Sequence, residues 1–260
     1  MEPLPLITVD GPLIAASKPA GIATQTIPGL PSLEAAVKQY LRVTGEKEGN
    51  VYLGVPHRLD RPVSGVVVFA KNSKAAARLA EQFRERTVRK TYWALVVGSP
   101  GPESGSMRDT LRKIPDQPQA EILPEGTPDG KVAELTYRVL ATLTAPEFSA
   151  VPVSLVEVDL LTGRMHQIRI QFASRGWPVV GDTLYGGPAL PVGRVPPPPN
   201  LDFGPLSDSI DPDRARPIAL HARRLALKHP IRYDEVSVTA PLPGYWPEIE
   251  FNDIARIGGP

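Results

Sequence analysis

The sequence predicts an α+β protein with a mixed, largely antiparallel β-sheet and flanking helices. Short apolar and β-branched runs occur in groups, and helical segments interrupt these groups without strict strand–helix alternation. The strand pattern also resumes after a proline-rich segment at about 187–217. We therefore expect a single domain over residues 1–260, with that segment as an exposed excursion.

The first third of the chain predicts two helices around a buried strand. Segment 32–45 has apolar residues on one helical face and Ser32 as a suitable N-cap. Segment 73–86 has the same character, and its predicted cap is Ser73. Between them, segment 64–71 is a continuous apolar run bounded by turn residues, which indicates a strand buried on both faces.

The other elements follow from similar signals. Residues 1–31 predict short strands separated by Gly and Pro turns, and 99–130 predicts a loop or a short hairpin. Segment 165–176 predicts a helix that ends at Gly176. Four segments have the composition of strands: 91–98, 131–143, 152–163 and 235–243.

Composition excludes several classes of protein. The chain is 42% hydrophobic and 22% charged, as is ordinary for a globular protein, and contains no cysteine for a disulfide or thiolate zinc site. The four histidines lack metal-ligand spacing, so we expect no metal. No secretory signal precedes the first strand, and no apolar run approaches the roughly 18 residues of a membrane span. We expect a cytoplasmic protein without membrane partners.

Local charge is more informative than the formal net charge of +1. Segment 71–90 holds seven lysines and arginines against two glutamates, and segment 221–232 holds four against no acid before Asp234. Such clusters are typical of surfaces that bind phosphate, although a solvated helix face would also explain each one. Charge alone does not show whether the ligand of these clusters would be RNA, DNA or another polyanion.

Asp60 is a single acid among cations at the entrance to the predicted buried strand. Arg58 and Arg61 flank it, and His57 lies just upstream. Cationic neighbours favour the ionised carboxylate, which suits a nucleophile or an electrostatic stabiliser better than a general acid. A structural Asp–Arg pair is the alternative, and His57 by itself is typical of a structural hydrogen-bonding residue.

A second polar group lies at the start of the helix predicted over 165–176. Arg164, His166, Gln167 and Arg169 are crowded there, while the rest of the helix is apolar. Two arginines near a helix start favour binding of an anion. Capping and surface charge are the alternative explanation.

Together these segments resemble the RNA pseudouridine synthases, in the RluA-type branch of the RluA/RsuA family. The similar stretches occur in the family's order: 57–71, 81–98, 160–187 and 220–230, with the Lys-Pro-Ala-Gly turn of 10–25 ahead of them. The resemblance implies a pseudouridine synthase fold. It also implies isomerisation of uridines to pseudouridine in structured rRNA or tRNA, without metal or organic cofactor.

The resemblance also implies catalytic roles. Asp60 matches the aspartate that starts cleavage of the N-glycosidic bond, Tyr92 the tyrosine that stacks on the base, and Arg169 the residue that pairs with the aspartate. Val63 and Gln171 depart from the family, which usually has threonine and often histidine at these positions. Neither departure changes the three catalytic candidates.

We expect RNA as the partner and a monomeric protein. No room is seen for an S4 RNA-binding domain ahead of the catalytic pattern, so RNA selection would rest on the catalytic domain or on another protein. An RNA-binding or ribosome-assembly factor with lost catalysis is the alternative; a glycoside hydrolase lacks a second acid near Asp60. The candidate RNA-contacting residues are His57, Arg58, Arg61, Arg84, Arg89, Lys90, Arg164, His166, Gln167, His221 and Arg223.

Overall fold

The computed structural model describes residues 6–45, 50–143, 152–190 and 216–246. The predicted α+β class with its largely antiparallel pairing is confirmed. In chain order the elements are β1 (Leu6–Asp10), β2 (Leu13–Lys18), α1 (Leu33–Val43), β3 (Ser64–Ala70), α2 (Ser73–Arg84), β4 (Arg89–Val97), β5 (Ser104–Lys113), β6 (Ala120–Leu123), β7 (Lys131–Leu143), β8 (Val153–Leu160), α3 (Gln167–Ala173), a 3-10 turn (Thr183–Tyr185), β9 (Leu220–Lys228) and β10 (Glu235–Thr239).

The described residues form two compact units, and the expectation of one domain over 1–260 stays a prediction. The first unit comprises the described parts of 6–89, together with 216–217 and 222–243. The second comprises the described parts of 90–190, together with 218–221 and 244–246. Most of the proline-rich segment, 191–215, lies outside the described residues.

The first unit orders its strands β1-β2-β3-β9-β10. All seven residues of β3 are buried, which confirms the strand predicted from the apolar run. Gly65 allows a close approach at this strand: its φ is +122°, and a Cβ there would lie 2.3 Å from the carbonyl oxygen of Ala222. A side chain at this position would therefore collide with the backbone of β9.

The two helices of the first unit begin with side-chain caps. Ser32 Oγ accepts a hydrogen bond from the Ala35 N–H at 3.2 Å, which confirms the predicted cap of α1. The predicted cap of α2 was wrong by one residue: Asn72, whose Oδ1 accepts from the Ala75 N–H at 2.9 Å, caps it in place of Ser73. Asn72 still has extended backbone angles, so its side chain can turn back to a free N–H of the first turn.

The second unit orders its strands β4-β8-β7-β5-β6, and each neighbouring pair is antiparallel. Of the two predictions for 99–130, the hairpin is confirmed, and β5 extends over ten residues. Segment 218–230, to which the sequence pattern gave no element, contains β9.

A short helix covers one face of the sheet in the second unit. Phe172 of α3 meets Tyr137 of β7 edge-on, with ring centroids 5.6 Å apart, and Ile170 packs on the core beneath the hairpin. The helix is shorter than the predicted 165–176. At its start, His166 adopts a left-handed conformation, with φ of 52°, so the helical backbone begins only at Gln167. No helix among the described residues is long and apolar enough to cross a membrane.

Candidate active site

Asp60 lies half-buried in the loop that leads into β3. The loop is a closed turn, since the Val63 N–H donates to the Asp60 carbonyl at 3.1 Å. Thr24, which is buried, joins the same loop from 35 residues away. Its hydroxyl accepts from the Leu59 N–H and donates to the Leu59 carbonyl, both at 3.0 Å. The residue before Asp60 is thus held by both of its backbone polar groups.

Lys18 holds the residue after Asp60. The side chain is fully buried, and its Nζ donates to the carbonyl oxygens of Pro19 at 3.0 Å, Ile22 at 2.9 Å and Arg61 at 3.1 Å. The Gly21 N–H also donates to the Arg61 carbonyl, at 2.8 Å. The backbone that follows Asp60 is therefore tied to the turn at the end of β2.

Burial lowers the pKa of Lys18 from 10.5 to about 7; the charge of Asp60 opposes this shift, and the charge of Arg61 adds to it. The three carbonyl acceptors match the three N–H groups of a protonated ammonium. In that state Lys18 places a cation near Asp60. Sequence reasoning missed this residue, although the Lys-Pro-Ala-Gly turn of the family resemblance contains it.

His57 and the two flanking arginines have different surroundings. His57 Nε2 accepts a hydrogen bond from the Val68 N–H at 2.9 Å, and the ring stacks on Phe83 at 4.5 Å between centroids. This geometry agrees with the structural interpretation of His57. Arg58 is exposed and Arg61 is half-buried, and contact of these residues with RNA stays a prediction.

Arg169 forms a buried bidentate pair within the second unit. Its Nε and Nη2 donate to the two carboxylate oxygens of Asp182 at 2.6 and 2.8 Å. The side chains are 4% and 1% exposed, so each charge depends on the other. Asp182 was missed from the sequence, and the predicted pairing of Arg169 with Asp60 stays a prediction.

Tyr185 lies against the same guanidinium and ties it to the hairpin. The Arg169 Cζ is 5.2 Å from the centre of the Tyr185 ring, a cation–π distance. The Tyr185 hydroxyl accepts from the Ala120 N–H at 2.8 Å and bonds His166 Nδ1 at 2.9 Å. Arg169 is therefore oriented from two sides, by a carboxylate and by an aromatic ring.

Gln167 closes the turn that precedes α3. Its Oε1 accepts from the Thr162 hydroxyl at 2.7 Å and from the Arg164 N–H at 3.0 Å. Its Nε2 donates to the Glu134 carbonyl at 3.0 Å, and the side chain is 3% exposed. Arg164 itself donates from Nε to the Val132 carbonyl at 3.0 Å. The polar group seen in the sequence therefore builds this turn, and the RNA contacts of Arg164, His166 and Gln167 stay predictions.

Tyr92 lies on β4, opposite Val158 of β8. It is half-buried, so part of its surface is open to a ligand. The adjacent Lys90 is also half-buried, and its Nζ lies 4.0 Å from the position that a Cβ on Gly163 would occupy. Base stacking by Tyr92 stays a prediction.

Two arginines of the first basic cluster form exposed ion pairs. Arg84 pairs with Glu81 at 3.2 Å on α2, and Arg89 pairs with Glu235. Exposed pairs of this kind contribute about 1 kcal/mol or less, so either arginine could exchange its carboxylate for a phosphate at small cost.

The two candidates on β9 are less open. His221 is fully buried, and its ring meets Trp246 edge-on at 6.1 Å. Arg223 is half-buried and donates to the Ala240 carbonyl, and desolvation lowers the pKa of its guanidinium. Among the residues that the structure describes, no three His, Asp or Glu side chains gather as metal ligands would.

The fold is that of the pseudouridine synthase class of proteins. The sequence model of the family described as RNA pseudouridylate synthase matches residues 12–174, which include Asp60, Tyr92 and Arg169. The chain belongs to this family, in its RluA/RsuA group.

Individual relatives agree with this assignment. An RNA pseudouridine synthase of Chloroflexus aurantiacus is 35% identical over 233 residues, which cover 87% of this chain and 62% of the relative. The ribosomal large subunit pseudouridine synthase C of Rickettsia conorii is 32% identical over 241 residues, or 93% of this chain and 69% of the relative. The solved structure of human RNA pseudouridylate synthase domain containing 4 is 25% identical, with a TM-score of 0.67 over 92% of this chain and 89% of that one.

Proposed function

We propose that this chain converts specific uridines of structured RNA to pseudouridine, with Asp60 as the key catalytic residue and without metal or organic cofactor. The observation that carries the proposal is the way the Asp60 loop is held. Thr24 binds the residue before Asp60, and Lys18 and Gly21 bind the residue after it. A carboxylate on a backbone held at both sides is preorganised for chemistry.

The reaction needs the target uridine outside its stack. Extrusion of a base costs a few kcal/mol, and less in a loop than in a duplex. Contacts of Arg58, Arg84 and Arg89 with phosphate groups would offset this cost. Tyr92 would then stack on the extruded base and retain it, because an aromatic face binds a base without needing its hydrogen-bonding edge.

The chemical step exchanges one bond for another. The bond from N1 of uracil to C1′ of ribose breaks, the bond from C5 to C1′ forms, C5 loses a proton and N1 gains one. Positive charge develops on the ribose during cleavage, and an ionised Asp60 stabilises it. Attack at C1′, attack on the base and abstraction of a ribose proton by Asp60 all satisfy this balance.

Large-subunit rRNA is the first substrate to test. The Rickettsia conorii relative is named for the ribosomal large subunit, and it is matched over 93% of this chain. We extend that substrate class to this chain, with tRNA as the second candidate, and place the reaction in the cytoplasm with a monomeric protein.

Release of label from C5 of uridine tests the activity. Unmodified transcripts of rRNA and tRNA carrying tritium at C5 are incubated with the native chain and with Asp60→Asn and Asp60→Ala. We expect release from rRNA by the native chain and a loss of at least about 1,000-fold in both variants, equivalent to about 4 kcal/mol of transition-state stabilisation. Asp116→Asn, which alters an exposed acid in the β5–β6 turn, serves as the matched control and should retain activity.

Two results would contradict the proposal at different levels. Absence of release from every rRNA and tRNA would overturn the enzymatic function. If the chain still bound RNA, an RNA-binding or assembly factor would be the favoured alternative. Release that persists in Asp60→Ala would overturn the role of Asp60 and leave the activity standing.

A further inference from the structure

An open cavity of about 390 Å³ lies at the end of the β5–β6 hairpin in the second unit. We call it the hairpin pocket. Its lining residues combine an apolar floor with a polar rim: Leu111, Arg112, Lys113, Ala120, Asp129, Lys131, Gly163, Arg164 and Met165. The rim holds four cations and one acid. None of Arg112, Lys113 and Lys131 lies in either basic cluster of the sequence analysis.

Strand register assembles this pocket from distant parts of the chain. Leu111 of β5 faces Lys131 of β7, and Lys113 faces Ala120 of β6. Directly opposed residues of an antiparallel pair share one face of the sheet, and residues two apart on a strand do as well. Lys113 and Lys131 therefore project from the same face, beside the apolar Leu111 and Ala120.

The two lysines of the pocket are available to a ligand. Both are exposed, and within the described residues neither forms an ion pair or a hydrogen bond through its ammonium. Arg112 pairs with Glu121 of the adjacent strand at 2.7 Å, in a half-exposed position. Arg164 donates one hydrogen bond, from Nε to the Val132 carbonyl. The rim thus has more positive charge than the protein neutralises.

The size and chemistry of the pocket match a nucleotide. A volume of about 390 Å³ falls in the range of roughly 300–1,000 Å³ for small-ligand sites and exceeds what a single phosphate fills. An apolar floor suits the faces of a base and sugar, while planar guanidinium groups and ammonium groups bind phosphate oxygens. An acidic peptide would satisfy the cations but would leave the apolar floor without a matching group.

We propose that the hairpin pocket is a second RNA-contact site, which holds one nucleotide of the substrate through its phosphodiester groups. Lys113 and Lys131 contact the phosphates, with Arg164 beside them. This inference rests on the proposed function, because it takes the RNA substrate as the ligand. Phosphate contacts carry no sequence information, so the pocket contributes affinity and register, not base selection.

The salt dependence of RNA binding measures these contacts. Each phosphate contact adds about 0.7 to the slope of log affinity against log salt for single-stranded RNA. Lys113→Ala/Lys131→Ala should therefore lower the slope by about 1 to 1.5 and weaken binding about 10-fold at 0.1 M salt. The probe is a fluorescein-labelled, unmodified large-subunit rRNA transcript, followed by anisotropy.

Matched variants separate the pocket from general charge. Arg108→Ala/Arg138→Ala removes two exposed cations from the same strands, β5 and β7, on the opposite face of the sheet, and should leave the slope near the native value. Lys113→Arg/Lys131→Arg keeps both charges and should bind like the native chain. All three variants alter exposed positions, and urea denaturation verifies that they fold.

The outcomes distinguish this inference from the proposed function. A native slope in Lys113→Ala/Lys131→Ala, or an equal loss in Arg108→Ala/Arg138→Ala, overturns the hairpin pocket as an RNA site while C5 label release by the native chain still stands. Polyglutamate and an oligouridylate are also compared as competitors of RNA. If polyglutamate competes as well as the oligouridylate does, and only when both lysines are present, the pocket binds acidic protein and the RNA-site proposal is overturned. If the native chain neither binds RNA nor releases label, both proposals fall.

Discussion

Lys18 in the first unit and Arg169 in the second are both buried cations, but different groups surround them. Lys18 is enclosed by three backbone carbonyls, two of them from its own turn and one from Arg61. Arg169 is enclosed by the carboxylate of Asp182 and the ring of Tyr185. Carbonyl dipoles offset less of the desolvation cost of a charge than a carboxylate does.

This difference predicts different responses to pH. Burial lowers the pKa of Lys18 to about 7, so a side chain that hydrogen-bonds to the Asp60 loop titrates near neutrality. A guanidinium remains protonated throughout this range, and Asp182 supplies Arg169 with a countercharge. The Asp60 region is therefore adjustable by pH, whereas the Arg169 region is fixed by an ion pair. Three predictions test this contrast.

Asp182→Ala should have the largest effect, because it removes the bidentate carboxylate partner of the buried Arg169 guanidinium. Loss of one partner of a buried ion pair costs about 3–5 kcal/mol. Urea denaturation measures the free energy of unfolding. Glu125→Ala, which removes one carboxylate partner from the exposed Arg108, is the control and should cost less than about 1 kcal/mol. Equal losses in the two variants would show that the Arg169–Asp182 pair is not a buried charge pair in solution.

Lys18→Met should remove a pH dependence of stability. The folded-state pKa of Lys18 lies near 7 and its unfolded value near 10.5, so between these pH values the unfolded chain binds more protons. Stability attributable to Lys18 therefore rises with pH across this window, by on the order of 2–3 kcal/mol between pH 6 and pH 9. Below about pH 7 the cost of the buried charge is fully present.

Denaturation of the native chain and Lys18→Met at several pH values tests this slope. Lys74→Met, which removes an exposed lysine, controls for the loss of one positive charge. A slope that is unchanged in Lys18→Met would contradict the lowered pKa and with it the contrast with Arg169.

Thr24→Val should have the smallest of the three effects and act through neutral hydrogen bonds. It removes the hydroxyl that bonds both backbone polar groups of Leu59, which costs roughly 1–3 kcal/mol. Thr24→Ser retains the hydroxyl and should cost less. We also expect label release to fall in Thr24→Val more than in Thr24→Ser, because the loop carrying Asp60 loses an anchor. Equal release in both variants would separate loop anchoring from catalysis.

Local sequence signals identified much of the fold. The apolar run at 64–71 predicted a strand that is buried along its whole length, and Ser32 was recognised as a cap from its place before an amphipathic segment. The strand predicted over 131–143 has those bounds. These features depend on residues adjacent in sequence, so a window of about ten residues contains the information.

Other elements were not determined by the sequence pattern because their signal is weak or shared. β5 has only two large apolar residues, Met107 and Leu111, and follows a segment rich in proline and glycine, so the pattern of 99–130 left both a loop and a hairpin open. Asn72 and Ser73 are both good caps, and only the backbone angles show that Asn72 occupies the cap position.

Sequence patterns were sufficient for the α+β class, the family and the singling out of Asp60, since each depends on local pattern or on ordered motifs. Three relations became visible only in the folded chain: Lys18 is desolvated against the backbone after Asp60, Asp182 pairs with Arg169, and Lys113 and Lys131 line one pocket. These relations depend on burial, strand register and contacts between distant residues. The energy of a charge depends on what encloses it, and that is defined only when the chain has folded.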